Sequence, residues 1–137
     1  MTGTSAPPRV VYESSVTAVG GQVEAFLGHG LLIFFGDNSP VELHDMSVRH
    51  VPTVAEEGPR PGDTIVLGDK EMEVLAVGDV VADNLLNIGH LDLKANGSSE
   101  AKLPGDVNVA TQDLPLLVAG DAFRILRGPV PSTGGTP

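Results

Sequence analysis

Short apolar runs recur along this chain between turn residues, the pattern of half-buried strands rather than of long helices. Eight segments carry it: RVVYESSVTAV (9–19), LLIFF (31–35), MSVRHV (46–51), TIVLG (64–68), KEMEVLAV (70–77), HLDLKA (90–95), VNVAT (107–111) and AFRIL (122–126). In HLDLK, Leu91 and Leu93 alternate with polar neighbours, which predicts one face on a core and the other in solvent. Leu67-Gly68-Asp69-Lys70 predicts a tight hairpin between two of the strands. Asn96-Gly97 and Pro104-Gly105 are further turn dipeptides.

The predicted helices are few and short. Gln22 to Leu27 has room for a turn or two before Gly28. Ser39-Pro40-Val41-Glu42 combines an N-cap serine, a proline at the first helical position and a glutamate at the capping-box position, predicting a short helix over 40–45. Asp83 to Ile88 predicts another, with Gly89 as its stop. The fold class is therefore mainly β, and the periodicity fits a barrel or a sandwich equally. Residues 1–8 and 128–137 are rich in Gly, Pro, Ser and Thr and are expected to be disordered extensions around a single folded domain over 9–127.

Composition narrows the function classes. The chain of 137 residues has no cysteine, so disulfides, zinc-thiolate sites and thiol catalysis drop out together. Its formal net charge is −10, and the eight Lys and Arg residues are scattered with no basic stripe. That argues against nucleic acid and against anionic membrane surfaces as partners. No run approaches the ~20 apolar residues of a membrane span, and the first residues have no signal-peptide core, so no membrane insertion and a cytoplasmic location are expected. The acidic surface suits either plain solvation or attraction to a basic protein patch.

The four histidines, His29, His44, His50 and His90, are the candidate chemistry. His50 ends a predicted strand, and Val51-Pro52 after it is expected to begin a loop, leaving the ring at an exposed strand end. A neutral imidazole is a nucleophile near neutral pH, so it suits a phosphoryl relay. Alternation places His50 on the same face as Met46 and Val48, which equally fits a histidine packed in a core. His90, at a strand start after Gly89, is a possible ring partner to His50 or a packed residue. His44, Asp45, His50 and His90 form a conceivable metal set but lack a zinc spacing, so no metal and no cofactor are expected. His29 lies in the turn Gly28-His29-Gly30 and reads as a loop residue. No glycine-rich phosphate loop follows Gly20-Gly21, because the Walker lysine is missing.

One block is more specific than any of these. AVGDVVADNLLNIGHLDLKANGSSEAKLPGDVNVA, residues 76–110, resembles the glucitol/sorbitol-specific IIA component of the bacterial phosphoenolpyruvate-dependent sugar phosphotransferase system. The matching features are the AVG start, Asp83-Asn84-Leu85, Gly89-His90, the Gly97 turn and Leu103-Pro104-Gly105. VVYESSVTAVG (10–20) and the block from Leu32 to His50 fit the same family in order. The resemblance implies a small, partly open β-barrel of short strands with one to three short helices. It implies a cytosolic phosphocarrier that takes a phosphoryl group from the phosphocarrier protein HPr and hands it to the IIB part of a IIB/IIC membrane transporter. The family's phosphorylated histidine falls on His50. The familiar Ile-His-Cys-His segment is replaced here by Arg49-His50-Val51-Pro52, which removes a second histidine and places a guanidinium beside the first. Arg49 and His90 are then the candidates to support the phosphate.

Two readings of different class follow: a phosphocarrier acting through His50, and a non-catalytic β-barrel binding or regulatory module. A metal-dependent hydrolase is a weaker third. An open depression at His50 favours the relay, and full burial with both ring nitrogens bonded favours the module.

Overall fold

The computed structural model describes residues 8–128, so the two predicted disordered extensions lie almost wholly outside the described residues. Eight strands and two α-helices follow in order: β1 (Arg9–Val19), α1 (Val23–Leu27), β2 (Leu31–Gly36), β3 (Val48–Ala55), β4 (Thr64–Leu67), β5 (Lys70–Val77), α2 (Val81–Ile88), β6 (Leu91–Lys94), β7 (Asp106–Val109) and β8 (Ala122–Arg127). A 3-10 helix over Val41–Met46 joins β2 to β3.

The strands close into a barrel in the order β1-β3-β2-β6-β7-β5-β4-β8, with β8 returning to β1. The expected partly open barrel is thus fully closed, because every strand has a bonded neighbour on each side and no edge is left. Two of the pairings, β2 with β3 and β6 with β7, are parallel. The hairpin at Gly68-Asp69 is formed, with Leu67 opposite Lys70 and Gly68 at φ +64°. That is the glycine-first turn whose twist suits paired strands.

Alternation fills the interior. In β1, Tyr12, Ser14 and Val16 are buried while Ser15 and Thr17 face solvent. Leu32 and Phe34 of β2, Val48 of β3 and Phe123 and Ile125 of β8 meet them in the core. Phe34 and Phe123 stack with ring centroids 4.5 Å apart. Each such side chain removed from water contributes about 1.5–3 kcal/mol. Helix α2 buries Val81 and Leu85 and packs beside β2 and β6.

Two local expectations are corrected. The capping box at Ser39 does not form: Pro40 occupies the cap position in an extended conformation, and no side chain caps the helix. The short helix expected over 40–45 is present as a 3-10 turn over Val41–Met46, and the His44 ring bonds the Ser39 carbonyl at 2.9 Å. It ends at Met46, with the Ser47 hydroxyl donating to the Leu43 carbonyl, so β3 starts at Val48 rather than 46. Val51-Pro52 does not begin a loop either, because β3 runs on to Ala55. Its pairing with β2 ends at His50, so Pro52 removes no ladder bond on that side, while β1 stays paired through an irregularity at Glu13/Ser14.

Candidate functional site

His50 is the third residue of β3, set between Val16 of β1 and Gly36 of β2. Val48 and His50 point inward, and His50 is 0% exposed. It is therefore not at an exposed strand end, because the strand continues past it and its face is the barrel interior. Its ring packs edge-on among Tyr12, Phe34 and Phe123, with centroids 6.1, 5.7 and 5.5 Å away.

Both ring nitrogens are bonded. Nδ1 is 2.9 Å from Ser14 Oγ, and Nε2 is 2.8 Å from the Gly89 carbonyl oxygen. A carbonyl can only accept, so Nε2 carries the hydrogen and Nδ1 accepts from the Ser14 hydroxyl. Burial holds the imidazole pKa below its ordinary value, with the Gly89 carbonyl opposing that shift. The ring is thus neutral, and its basic lone pair lies on Nδ1, taken up by the Ser14 hydroxyl in this arrangement. The Ser14 hydroxyl also lies 3.4 Å from the Phe123 carbonyl, a second acceptor to which it can turn.

The Gly89 carbonyl is placed by the end of α2. Gly89 sits at φ +69°, and its N–H closes the helix on the Asn84 and Leu85 carbonyls. A Cβ there would lie 2.6 Å from Gly36 N and 3.2 Å from His50 Nε2. Glycine is required both for the left-handed turn and for the approach of helix end, β2 and imidazole.

Over this contact lies a cavity of about 300 Å³, walled by Tyr12, His50, the Gly36–Asn38 turn, Val51-Pro52 and the last turn of α2. Of its lining residues, Val51, Leu86 and Ile88 are 44%, 40% and 51% exposed. The discriminating criteria therefore divide: the ring is buried and fully bonded, yet a depression opens beside it on the Nε2 side, where Gly89 also lines the wall.

The other candidates fall elsewhere. The Arg49 side chain points away from the core and is 3.9 Å from Asp37 Oδ1, so it reaches the cavity rim only through that carboxylate, which also accepts from Thr17 Oγ1 at 2.5 Å. The His90 ring stacks on Phe35 at 4.4 Å and an interplanar angle of 7°, and its Nε2 is 3.1 Å from Asp92 Oδ1. Phe35 is on the outer side of β2, opposite the inward Phe34, so the two histidine rings lie on different sides of the barrel wall. The His44 ring is taken up by the Ser39 carbonyl. Among the described residues no three acidic, histidine or cysteine side chains are grouped to hold an ion.

The residues that contact His50 were missed from the sequence. Ser14 and Tyr12 lie 36 and 38 positions away, and no local motif links them to it. The available signal was the inward row Tyr12, Ser14, Val16, in which two polar side chains share the buried face of a core strand.

The family model for the PTS system glucitol/sorbitol-specific IIA component matches residues 11–124. This chain belongs to that family. PTS system glucitol/sorbitol-specific EIIA components of Shigella flexneri and Escherichia coli (strain K12) are each 34% identical to it over 101 residues, covering 74% of this chain and 82% of theirs. A crystal structure of a PTS system IIA component from Enterococcus faecalis V583 has the same fold, with a TM-score of 0.68 at 21% identity, covering 81% of this chain and 96% of that one. As a glucitol/sorbitol-type IIA component, the protein is part of a sugar phosphotransferase system, a transferase system. No helix among the described residues is long and apolar enough to cross a membrane.

Proposed function

We propose that this IIA component is a cytoplasmic phosphocarrier in which His50 accepts a phosphoryl group from HPr and passes it to the IIB part of a glucitol/sorbitol-type IIB/IIC transporter. The observation that carries the reading is a neutral imidazole at the base of a cavity, at the position where the family resemblance puts the phosphorylated histidine. The cavity lies on the Nε2 side, so Nε2 is the acceptor nitrogen in this account. For that, the ring proton moves to Nδ1, the Ser14 hydroxyl turns to accept it and donates to Phe123 O, and the Gly89 carbonyl withdraws from a nitrogen that no longer donates. The Nε2 lone pair then forms the N–P bond in line as the donor's P–N bond breaks, with that electron pair staying on the donor ring. Each ring keeps its own N–H, so the step moves only the phosphoryl group. The exposed apolar side chains of Val51, Leu86 and Ile88 at the rim suit a docking protein that excludes water during transfer.

Labelling with phosphoenolpyruvate, enzyme I and HPr tests the reading. His50→Ala is expected to abolish the label and His29→Ala to keep it. Label persisting in His50→Ala would refute the assignment. The complete burial of His50 with both nitrogens bonded favours the second reading, a binding or regulatory module without transfer. An unlabelled wild type beside labelled HPr would refute the relay and move that reading to first place.

A further inference from the structure

We propose that the Tyr12 phenol is a catalytic residue of this IIA component, donating a hydrogen bond to a phosphoryl oxygen as the group passes to His50 and while it stays there. This rests on the phosphocarrier reading and adds to it a residue and a role.

Three buried side-chain polar atoms have no hydrogen-bond partner among the described residues: Tyr12 Oη, Ser39 Oγ and Asp106 Oδ1. Tyr12 is the one whose residue lines the cavity over His50. It is 0% exposed, and its ring meets the imidazole edge to face. A buried hydroxyl without a partner is costly, and phenylalanine would fill the same place in the ring cluster of Phe34 and Phe123 without that cost. A tyrosine held there is accounted for by a ligand that reaches the cavity and accepts a proton. A phosphoryl group on Nε2 brings three strong acceptor oxygens into that space. Burial pushes the phenol up to about 12, so the hydroxyl keeps its hydrogen at neutral pH and acts as a neutral donor. No bond to Tyr12 forms or breaks. Arg49 cannot take this role from its outward position on Asp37, nor can His90 from its place on Phe35.

The chain gives a direct readout, because Tyr12 is its one tyrosine and there is no tryptophan. Near-ultraviolet absorbance of the full-length protein is followed while HPr phosphorylates it, in parallel with labelling of wild type and Tyr12→Phe. A red shift of the tyrosine band on phosphorylation is expected, as a phenol that newly donates to an anion shows. Tyr12→Phe is expected to unfold at or above the wild-type temperature, since it removes an unpartnered buried hydroxyl, while its phosphorylation slows on the order of 10- to 100-fold, the worth of one hydrogen bond to a charged group. A labelled wild type with an unmoved tyrosine band, or Tyr12→Phe labelled at the wild-type rate and extent, overturns the role of Tyr12 and leaves the phosphocarrier reading standing. An unlabelled wild type overturns both. The absorbance arm needs no variant, so a poorly folded Tyr12→Phe would not rescue the proposal.

Discussion

At the residue scale, the site is a neutral histidine held at both nitrogens by groups that act differently. The Gly89 carbonyl can only accept, whereas the Ser14 hydroxyl can donate or accept, so Ser14 is the partner that permits both tautomers. Ser14→Ala leaves a buried ring nitrogen without a partner and is expected to cost about 1–3 kcal/mol in denaturant unfolding. It is also expected to slow phosphorylation, and Ser14→Thr to restore both by returning the hydroxyl. Restored stability without restored labelling would confine Ser14 to a structural role. Burial also keeps the His50 pKa below its ordinary value of 6.5. The unfolded chain then binds a proton near pH 6.5 that the folded one refuses, so this group's effect is absent above that pH and lowers stability as pH falls below it. An imidazole NMR titration is expected to find His50 less than half protonated at pH 6.5. Half-protonation there would contradict the environment described.

At the scale of elements, most of the architecture could be read from the sequence because strands announce themselves by alternation. β1 and β5 match their predicted bounds, and Gly89 was legible as the stop of α2. The signal at Ser39 placed a short helix where one forms, over Val41–Met46, but not its cap, because no side chain caps it and the His44 ring bonds the Ser39 carbonyl instead. The proline rule misled at Pro52 because the pairing of β3 with β2 ends two residues earlier. What no local pattern encodes is which strands become neighbours. The parallel joins of β2 with β3 and β6 with β7, and the return of β8 to β1, close the barrel, and with it the distances that bring Ser14 and Gly89 to His50. His50 was singled out by the family resemblance alone, whereas its burial was legible in the face shared with Val48. The joint between α2 and β2 is the element on which the site depends. Gly89→Ala would force a side chain into a left-handed turn and against Gly36, and is expected to cost at least ~1–2 kcal/mol. It should also displace the carbonyl at Nε2, visible as a shift of the His50 ring resonances. Wild-type stability and unchanged ring resonances would show that the turn tolerates a Cβ.

At the scale of the whole molecule, charge matters in two ways. Arg127 of β8 bonds Asp63 and Glu57, and Arg9 of β1 also bonds Glu57, tying the β3–β4 connection to the two strands that close the barrel. Hydrogen bonds from Arg9 and Arg127 hold the Glu57 carboxyl down to about 2. A carboxyl depressed in the folded state contributes fully above its unfolded value near 4.5 and loses that contribution as pH falls toward 2. Acid unfolding should therefore steepen across that window and do so less in Glu57→Gln, and matching profiles would remove Glu57 from the account. The net charge of −10 bears instead on association. If the acidic surface steers a basic carrier, the rate of phosphoryl transfer should fall steeply between low and physiological salt. A salt-independent rate would leave the charge as a feature of solvation alone.

The central claim is that His50, buried as it is, carries phosphate. The most direct test is to phosphorylate the wild-type protein with phosphoenolpyruvate, enzyme I and HPr, then map the modified peptide and its acid lability. Acid-labile phosphate on the peptide containing His50, attached at Nε2, is the predicted result. Phosphate on another residue, or none while HPr is fully labelled, would contradict it.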